Sequence, residues 1–186
     1  MSTLTLPPGH DRWTIELADA LLPHDVVRRE VLDGELFVNG APVRSGGGTL
    51  MAPNAPSRDH QRMVTALIVQ LVAAAPAGWD VLPSPTDVAL VGGDVAQPDV
   101  VVTPVERAEP EAMVAEALTP STRRDDLVGK RRLYERHGVV VYLIADPVQR
   151  TLTLLERDHE GRLVQTQTGP TVTLTRPFPV TLTVQP

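Results

Sequence analysis

The chain has 186 residues, a formal net charge of −6 and no cysteine. A chain of this length is expected to form one domain with a single core, and the lack of cysteine excludes disulfides, thiolate metal sites and thiol nucleophiles. The acidic balance argues against loose, non-specific attachment to nucleic acid, because such attachment depends on neutralising phosphates.

Membrane and targeting segments are not expected from the hydropathy pattern. No apolar run reaches the roughly 18 to 20 residues of a membrane span, and the first residues lack a basic start followed by an apolar run. We therefore expect a cytoplasmic protein. Residues 1–12 are polar and contain proline, which predicts a disordered N-terminal lead before a single domain at residues 13–186.

Three segments are predicted to be helical. Thr14 is a candidate cap for a short helix that ends at Leu22. Apolar residues at helical spacing predict a second helix from Ser57 to Ala75. A third is predicted from about Thr122 to His137, with Gly138 as its C-terminal stop.

The remaining periodic segments predict strands. Two of them surround Asp33-Gly34, a dipeptide typical of a tight hairpin turn. The continuously apolar residues that follow Asp99 predict a central strand. The predicted strands run from Val26 to Leu32, Glu35 to Val38, Trp79 to Leu82, Asp87 to Val91, Val95 to Val102, Ala112 to Leu118, Val139 to Ala145 and Thr151 to Glu156, with strand-like sequence to the end.

The order of these elements predicts an α/β (α+β) fold. The third helix lies between two apolar strands, an order that predicts two parallel strands joined by a right-handed crossover. The other strands follow one another through short turns, which predicts antiparallel hairpins. The sequence therefore predicts a mixed β-sheet flanked by helices.

Two acidic residues fall where buried strands are predicted. Asp99 begins the central strand after Pro98, and Glu116 lies on the next strand. A buried carboxylate must be paired, hydrogen-bonded or bound to a metal, and two on neighbouring strands suit Mg²⁺ or Mn²⁺. Lys130, the only lysine of the chain, follows on the third helix and would supply a cation for charge that develops on a phosphate. The alternative is that Asp99 caps a turn and Glu116 pairs with an arginine.

Neighbouring residues on the third helix have alternative interpretations. Asp126 precedes Lys130 by four residues, so an ordinary ion pair along the helix could fix the lysine. Tyr134 is more typical of a core position than of a site. Arg123 and Arg124 oppose the dipole at the start of the helix, which suits phosphate contact or a solvated face.

The chain resembles the Uma-type restriction endonuclease family of the PD-(D/E)XK nuclease superfamily, formerly a bacterial domain of unknown function. The most specific element is the block Glu116-Ala-Leu-Thr-Pro-Ser, and the resemblance extends from about Thr14 to Val184. The matching segments are Arg29 to Leu36, Ala55 to Gln61, Gln97 to Val102, Glu116 to Leu127 with Lys130, and Gly138 to Pro147. The resemblance implies a restriction-endonuclease-like core, a Mg²⁺-dependent nuclease centre that acts on DNA, and a homodimer.

Site residues follow from the resemblance position by position. It implies that Asp99 and Glu116 are catalytic metal ligands and that Glu35, the acid after the hairpin turn, is a further metal or water ligand. The alternative for Glu35 is a solvated acid at the exit of the turn. The superfamily usually places its lysine two residues after the second acid, where this chain has Leu118. Lys130 on the following helix would then take that role. His60 matches a histidine of the family and is an auxiliary candidate, with a surface or capping role as its alternative.

The primary hypothesis is a Mg²⁺- or Mn²⁺-dependent endonuclease that hydrolyses phosphodiester bonds in DNA. One alternative is a catalytically silent nuclease fold that serves as a binding or assembly module. Another is a metal-dependent phosphoesterase that acts on a different nucleotide substrate. Aromatic residues are only 3% of the chain, so base stacking is not the expected mode of contact with nucleic acid.

Overall fold

A computed structural model describes residues 6–22, 28–43, 56–106, 112–119 and 125–184. Its mixed and antiparallel sheets with flanking helices confirm the predicted fold class. The described helices are α1 (Ile15–Leu21), α2 (Arg58–Ala74) and α3 (Arg131–His137), and a π-helical segment, Asp125–Lys130, leads directly into α3. Within the described ranges, no helix is long and apolar enough to span a membrane.

The described strands form a six-stranded sheet, a five-stranded sheet and a two-stranded hairpin. The order is β11-β10-β9-β8-β7-β4 in the large sheet and β3-β2-β1-β6-β5 in the small sheet, and β12 pairs with β13. The strands are β1 (Arg29–Leu32), β2 (Glu35–Val38), β3 (Ala41–Pro42), β4 (Trp79–Pro83), β5 (Val88–Ala89), β6 (Val95–Ala96), β7 (Val100–Pro104), β8 (Met113–Ala117), β9 (Val141–Asp146), β10 (Thr151–Arg157), β11 (Leu163–Gly169), β12 (Thr171–Leu174) and β13 (Val180–Thr183).

The large sheet confirms the predicted central strand and parallel pair. β7 pairs with β8 on one side and β4 on the other, and its first four residues are buried. β8 and β9 are parallel, with Glu116 opposite Ile144, whereas the other pairs of this sheet are antiparallel. α2 and the β12–β13 hairpin pack on one face of this sheet, while the small sheet and α3 pack on the other.

The small sheet is built on the predicted hairpin. Asp33 and Gly34 both have positive φ, 53° and 76°, as a type I′ turn requires. A Cβ at Gly34 would lie 2.9 Å from the Cβ of Arg12, so this position also needs a residue without a side chain. The first strand of the hairpin begins at Arg29, and residues 23–27, which include the predicted start at Val26, lie outside the described residues.

The prediction of one continuous strand from Val95 to Val102 is wrong. β6 belongs to the small sheet and β7 to the large sheet, and residues 97–99 connect them. Pro98 has no N–H to donate to a ladder, and the Gln97 N–H donates to the carboxylate of Glu30 instead of to a strand. This break places Asp99 at the junction of the two sheets.

The predicted second helix is confirmed, whereas the third differs from a regular α-helix. Ser57, the predicted start of the helix, caps α2 by accepting a hydrogen bond from the His60 N–H. The third helix is π-helical over its first described residues, and its α-helical part ends at Gly138 with φ of 95°, as predicted. Lys130 is the last residue of the π-helical segment, a type of helix that is frequent at functional sites.

The N-terminal segment packs against the outer face of the small sheet. Leu6 and α1 contact a cluster that includes Trp13, Val31 and Leu36. Residues 1–5 of the predicted lead lie outside the described residues.

Candidate active site

Three carboxylates are buried between the two sheets. Glu30 is on β1, Glu116 is on β8 and Asp99 is in the connection between β6 and β7. Their exposed fractions are 3%, 1% and 4%, respectively. Glu30 lies on the face of the hairpin that carries Leu32 and faces the large sheet. Three desolvated carboxylates in one layer would strongly disfavour folding unless cations or hydrogen-bond donors compensate them.

Lys130 is the most buried of the compensating cations. Its Nζ lies 2.7 Å from Oε1 of Glu116 and 2.9 Å from Oε1 of Glu30. The side chain is only 3% exposed. Lys130 therefore joins an acid of the small sheet to an acid of the large sheet. The alternative partner proposed from sequence, Asp126, has a side chain outside the described part of the chain.

Tyr134 lies one helical turn after Lys130 and also contacts Glu116. Its hydroxyl donates a hydrogen bond of 2.9 Å to Oε1 of Glu116. Burial, together with the charge of Glu116, raises the pKa of Tyr134 well above its ordinary value. The phenol therefore stays protonated and acts as a donor. Tyr134 also packs edge to face against Tyr142 in the core, so it has both a core role and a polar contact in the site.

Arg28 is the second cation of the cluster. Its Nη1 lies 3.2 Å from Oδ1 of Asp99, and its Nη2 lies 3.8 Å from Oε2 of Glu116. Its Nε is 4.0 Å from Oε2 of Glu30. The shortest contact in this set is the 2.9 Å hydrogen bond from Nη2 to the carbonyl oxygen of Gln97. The guanidinium thus lies between Asp99 and Glu116.

Asp99 is held by donors from three directions. Besides Arg28, the backbone N–H of Ala117 donates to Oδ2 at 2.8 Å, and Nε2 of His60 lies 3.2 Å from the same oxygen. Burial acts to raise the pKa of Asp99, but the contacts with His60, Arg28 and Ala117 outweigh it and place this pKa below its ordinary value. Asp99 is therefore a carboxylate at neutral pH.

His60 is buried on the inner face of α2, at 4% exposure, rather than on the surface. Its ring contacts Asp99, and Nδ1 makes no hydrogen bond to any residue that the structure describes. The sequence-based alternative of a surface position therefore does not hold, whereas its backbone N–H does take part in the cap of α2.

Four of the predicted site residues lie together in the structure, and a fifth lies apart from them. Asp99, Glu116, Lys130 and His60 form one cluster. Glu35 is exposed at the start of β2, beside the hairpin turn, and the cluster contains Glu30 in its place. The predicted residues Arg123 and Arg124 lie outside the described residues.

Sequence reasoning missed Arg28 and Glu30. Alternation along the first strand places both residues on the same side as Leu32, which faces the core. An acid and an arginine on the buried face of a strand are the signal that could have found them. The family resemblance implies Glu35 as the further ligand instead, because Glu35 matches the acid that follows the hairpin turn.

The donor chemistry of the cluster fits a hard divalent cation. Carboxylate oxygens of Asp99 and Glu116 lie on either side of the Arg28 guanidinium, at 3.2 and 3.8 Å from it, and such oxygens are the ligands that Mg²⁺ and Mn²⁺ prefer. No group of three or more acidic or histidine side chains in the described ranges is already arranged to hold a metal ion. The cations of Arg28 and Lys130 lie between the carboxylates. The residues therefore fit a divalent cation if a cationic side chain yields its position.

Comparisons with known proteins agree with the fold. Residues 15–185 match the family described as "Uma2: Putative restriction endonuclease". The structure is similar to a crystal structure from Anabaena variabilis whose title describes "a putative nuclease belonging to DUF820". The two chains are 14% identical, the alignment covers 89% of each, and the TM-score is 0.62. No curated protein matches the chain.

Proposed function

The chain belongs to the Uma2 family of restriction endonuclease-like proteins, and we propose that it is a metal-dependent endonuclease that hydrolyses phosphodiester bonds in DNA. The observation that supports this proposal best is the pair of buried carboxylates, Asp99 and Glu116, with the Lys130 ammonium beside them. Mg²⁺ or Mn²⁺ is the proposed cofactor, since it would lower the pKa of an attacking water molecule.

The protein's own side chains would have distinct roles in this reaction. Asp99 and Glu116 would hold the cation, and Glu30 would be the third acid at its edge. Lys130 orients Glu116 and Glu30 and would offset negative charge that develops on the phosphate. His60 and the Ala117 N–H fix the carboxylate of Asp99, so they position a ligand without touching the substrate.

Cleavage of supercoiled plasmid DNA in Mg²⁺ or Mn²⁺ tests the proposal. We expect Asp99→Asn to abolish cleavage while circular dichroism and the melting temperature show a folded protein. Glu160→Gln, which changes an exposed acid far along the chain, is the matched control and should retain full activity. Cleavage that survives Asp99→Asn would contradict the proposal.

A comparison of Glu30→Gln with Glu35→Gln tests which residue is the third acid of the site. The structure places Glu30 in the cluster, whereas the family resemblance implies Glu35. Glu30 contacts Lys130 in the cluster, whereas Glu35 is exposed at the hairpin. We expect the first substitution to reduce the rate of cleavage by about tenfold or more, as for loss of a group that orients a site. The second should have a smaller effect. The reverse order would favour the ligand set implied by the family resemblance.

A silent binding module is the second candidate, and one observation favours it. Every acid of the cluster already contacts a cationic side chain, so the cluster is compensated without a metal. Calorimetric titration with Mn²⁺ distinguishes the two, because only the nuclease requires saturable binding that Asp99→Asn removes. Activity on a small phosphodiester but not on DNA would instead favour a phosphoesterase. The homodimer and the cytoplasmic location implied at the sequence level stay predictions.

A further inference from the structure

Arg28 contacts the same two carboxylates that the proposed nuclease would use to hold its metal. We propose that Arg28 is an exchangeable internal counter-ion: its guanidinium occupies the cation position in the metal-free protein and leaves when a divalent cation binds. This inference rests on the proposed function, because it concerns how the same site accepts its cofactor.

The two cations of the cluster differ in how firmly they are held. Lys130 is 3% exposed, and its ammonium makes two contacts shorter than 3.0 Å with Glu116 and Glu30. The side chain of Arg28 is 26% exposed, and its contacts with the acids range from 3.2 to 4.0 Å. Because the Arg28 side chain reaches solvent, its guanidinium can move away from the acids and be hydrated by water. The Lys130 side chain is almost fully buried, so Arg28 is the cation that exchanges.

The hydrogen bond from Arg28 to Gln97 helps to hold the guanidinium beside the acids when no metal ion is bound, but it does not prevent a metal ion from displacing the guanidinium. The acceptor is a backbone carbonyl oxygen in the connection between β6 and β7, immediately before Pro98. A carbonyl oxygen at this position can be hydrated when the guanidinium departs, whereas the carboxylates then gain a stronger cation. The exchange thus replaces several weak contacts by ligand bonds to a divalent ion.

Titration of the purified full-length protein with Mn²⁺ by calorimetry tests the exchange. Arg28→Met removes the guanidinium but keeps an apolar stem. We expect it to bind Mn²⁺ at least about tenfold more tightly than the wild type, the size of an ordinary coupling between two competing ligands. Arg29→Met is the matched control, since its neighbouring guanidinium pairs with exposed Asp19 and Asp87, and its Mn²⁺ affinity should equal that of the wild type.

The outcomes separate this inference from the proposed function. If the wild type binds Mn²⁺ and Arg28→Met binds it equally or less tightly, the exchange is overturned while the metal-dependent nuclease stands. If only Arg28→Met binds Mn²⁺, the guanidinium blocks the site and does not exchange, so both the exchange and the metal-dependent nuclease are overturned. If neither binds, both ideas fail.

A crystal structure of the wild-type protein with Mn²⁺ gives a second readout that needs no variant to fold. We expect anomalous density between Asp99 and Glu116 and the Arg28 guanidinium displaced from both. Manganese at that position with Arg28 still in contact with both carboxylates would overturn the exchange. Absence of manganese at millimolar concentration would do so as well.

Discussion

Asp94 and Asp99 are buried acids only five positions apart, yet their surroundings differ in kind. Asp94 is 3% exposed and accepts hydrogen bonds from the backbone N–H groups of Asp33 and Gly34, at 2.9 and 3.2 Å, and one from the side chain of Arg12, also at 3.2 Å. Asp99 is 4% exposed and accepts one backbone hydrogen bond, with side chains of His60 and Arg28 as its other partners.

The difference lies in which partners can leave. Two of the donors to Asp94 are backbone N–H groups of the turn between β1 and β2, so they can depart only if the hairpin itself unfolds, and they hold the carboxylate even if the Arg12 side chain rotates away. The cation beside Asp99 and Glu116 is a side chain, which can rotate away while the fold remains intact. Backbone compensation therefore makes a structural acid, whereas compensation by side chains leaves an acid that can exchange one cation for another.

The largest effect is expected from Lys130→Met. This change leaves Glu116 and Glu30 buried beside a neutral side chain, and loss of one partner of a buried ion pair typically destabilises a protein by about 3 to 5 kcal/mol. Urea unfolding measures the free energy of unfolding. Arg132→Met, an exposed arginine on the same helix, is the control and should change it little. A loss below about 1 kcal/mol for Lys130→Met would show that the acids do not depend on this cation.

Asp94→Ala should have the next largest effect on stability and none on metal binding. It removes the acceptor of the Asp33 and Gly34 N–H groups, which we expect to lower the free energy of unfolding by about 2 kcal/mol. Affinity for Mn²⁺, measured on the folded variant, should equal that of the wild type. A change in that affinity would contradict the separation between the structural acid and the site.

Tyr134→Phe removes one neutral donor from the cluster without changing its charge. The lost hydrogen bond to Glu116 should lower the free energy of unfolding by about 1 kcal/mol, since the ring still fills the core beside Tyr142. Urea unfolding of the wild type and the variant measures this difference. A loss as large as that of Lys130→Met would indicate that the hydroxyl, rather than the ammonium, is the main partner of Glu116.

Asp158 is a partly exposed acid held mainly by the backbone, and the smallest effect is expected there. Hydrogen bonds from the Arg162 N–H and side chain and from the Glu160 N–H place the pKa of Asp158 below its ordinary value. Its contribution to stability is therefore present above the unfolded-state pKa of about 4 and is lost as the pH falls through the folded-state pKa.

A comparison of the wild type with Asp158→Asn tests the direction of this pKa shift. In urea unfolding at a series of pH values, the stability difference between the two proteins should shrink as the pH decreases below about 4. A stability difference that grows at acid pH would show instead that folding raises the pKa of Asp158.

Much of the fold could be predicted because periodicity and turn residues are local signals. The start of α2 at Ser57, the Asp33-Gly34 turn and the stop at Gly138 could each be predicted from neighbouring residues. The break between β6 and β7 was not predicted, because the apolar residues on both sides of Gln97 continue the strand pattern. The missing N–H of Pro98 is a local reason for the break, but the hydrogen bond from the Gln97 N–H to Glu30, a residue far away in the chain, is seen only in the folded structure.

The residues of the candidate site likewise fall into two groups, those that local sequence signals could identify and those that they could not. Asp99, Glu116 and Lys130 occur within a short region around one crossover, so the sequence and the family resemblance could select them together. Arg28 and Glu30 enter from another sheet, and their proximity depends on packing between the sheets. Glu35 matched a motif, but strand register and the turn leave it exposed.

The separation of the cluster's members along the chain has a consequence for folding kinetics. Lys130 and Glu116 are 14 residues apart, whereas Arg28 and Asp99 are 71 apart and Gln97 and Glu30 are 67 apart. Contacts across such long loops form late, because loop closure must precede them. We therefore expect Asp99 to remain hydrated until the small sheet docks, and we expect that docking to be slowed by the dehydration of its charges.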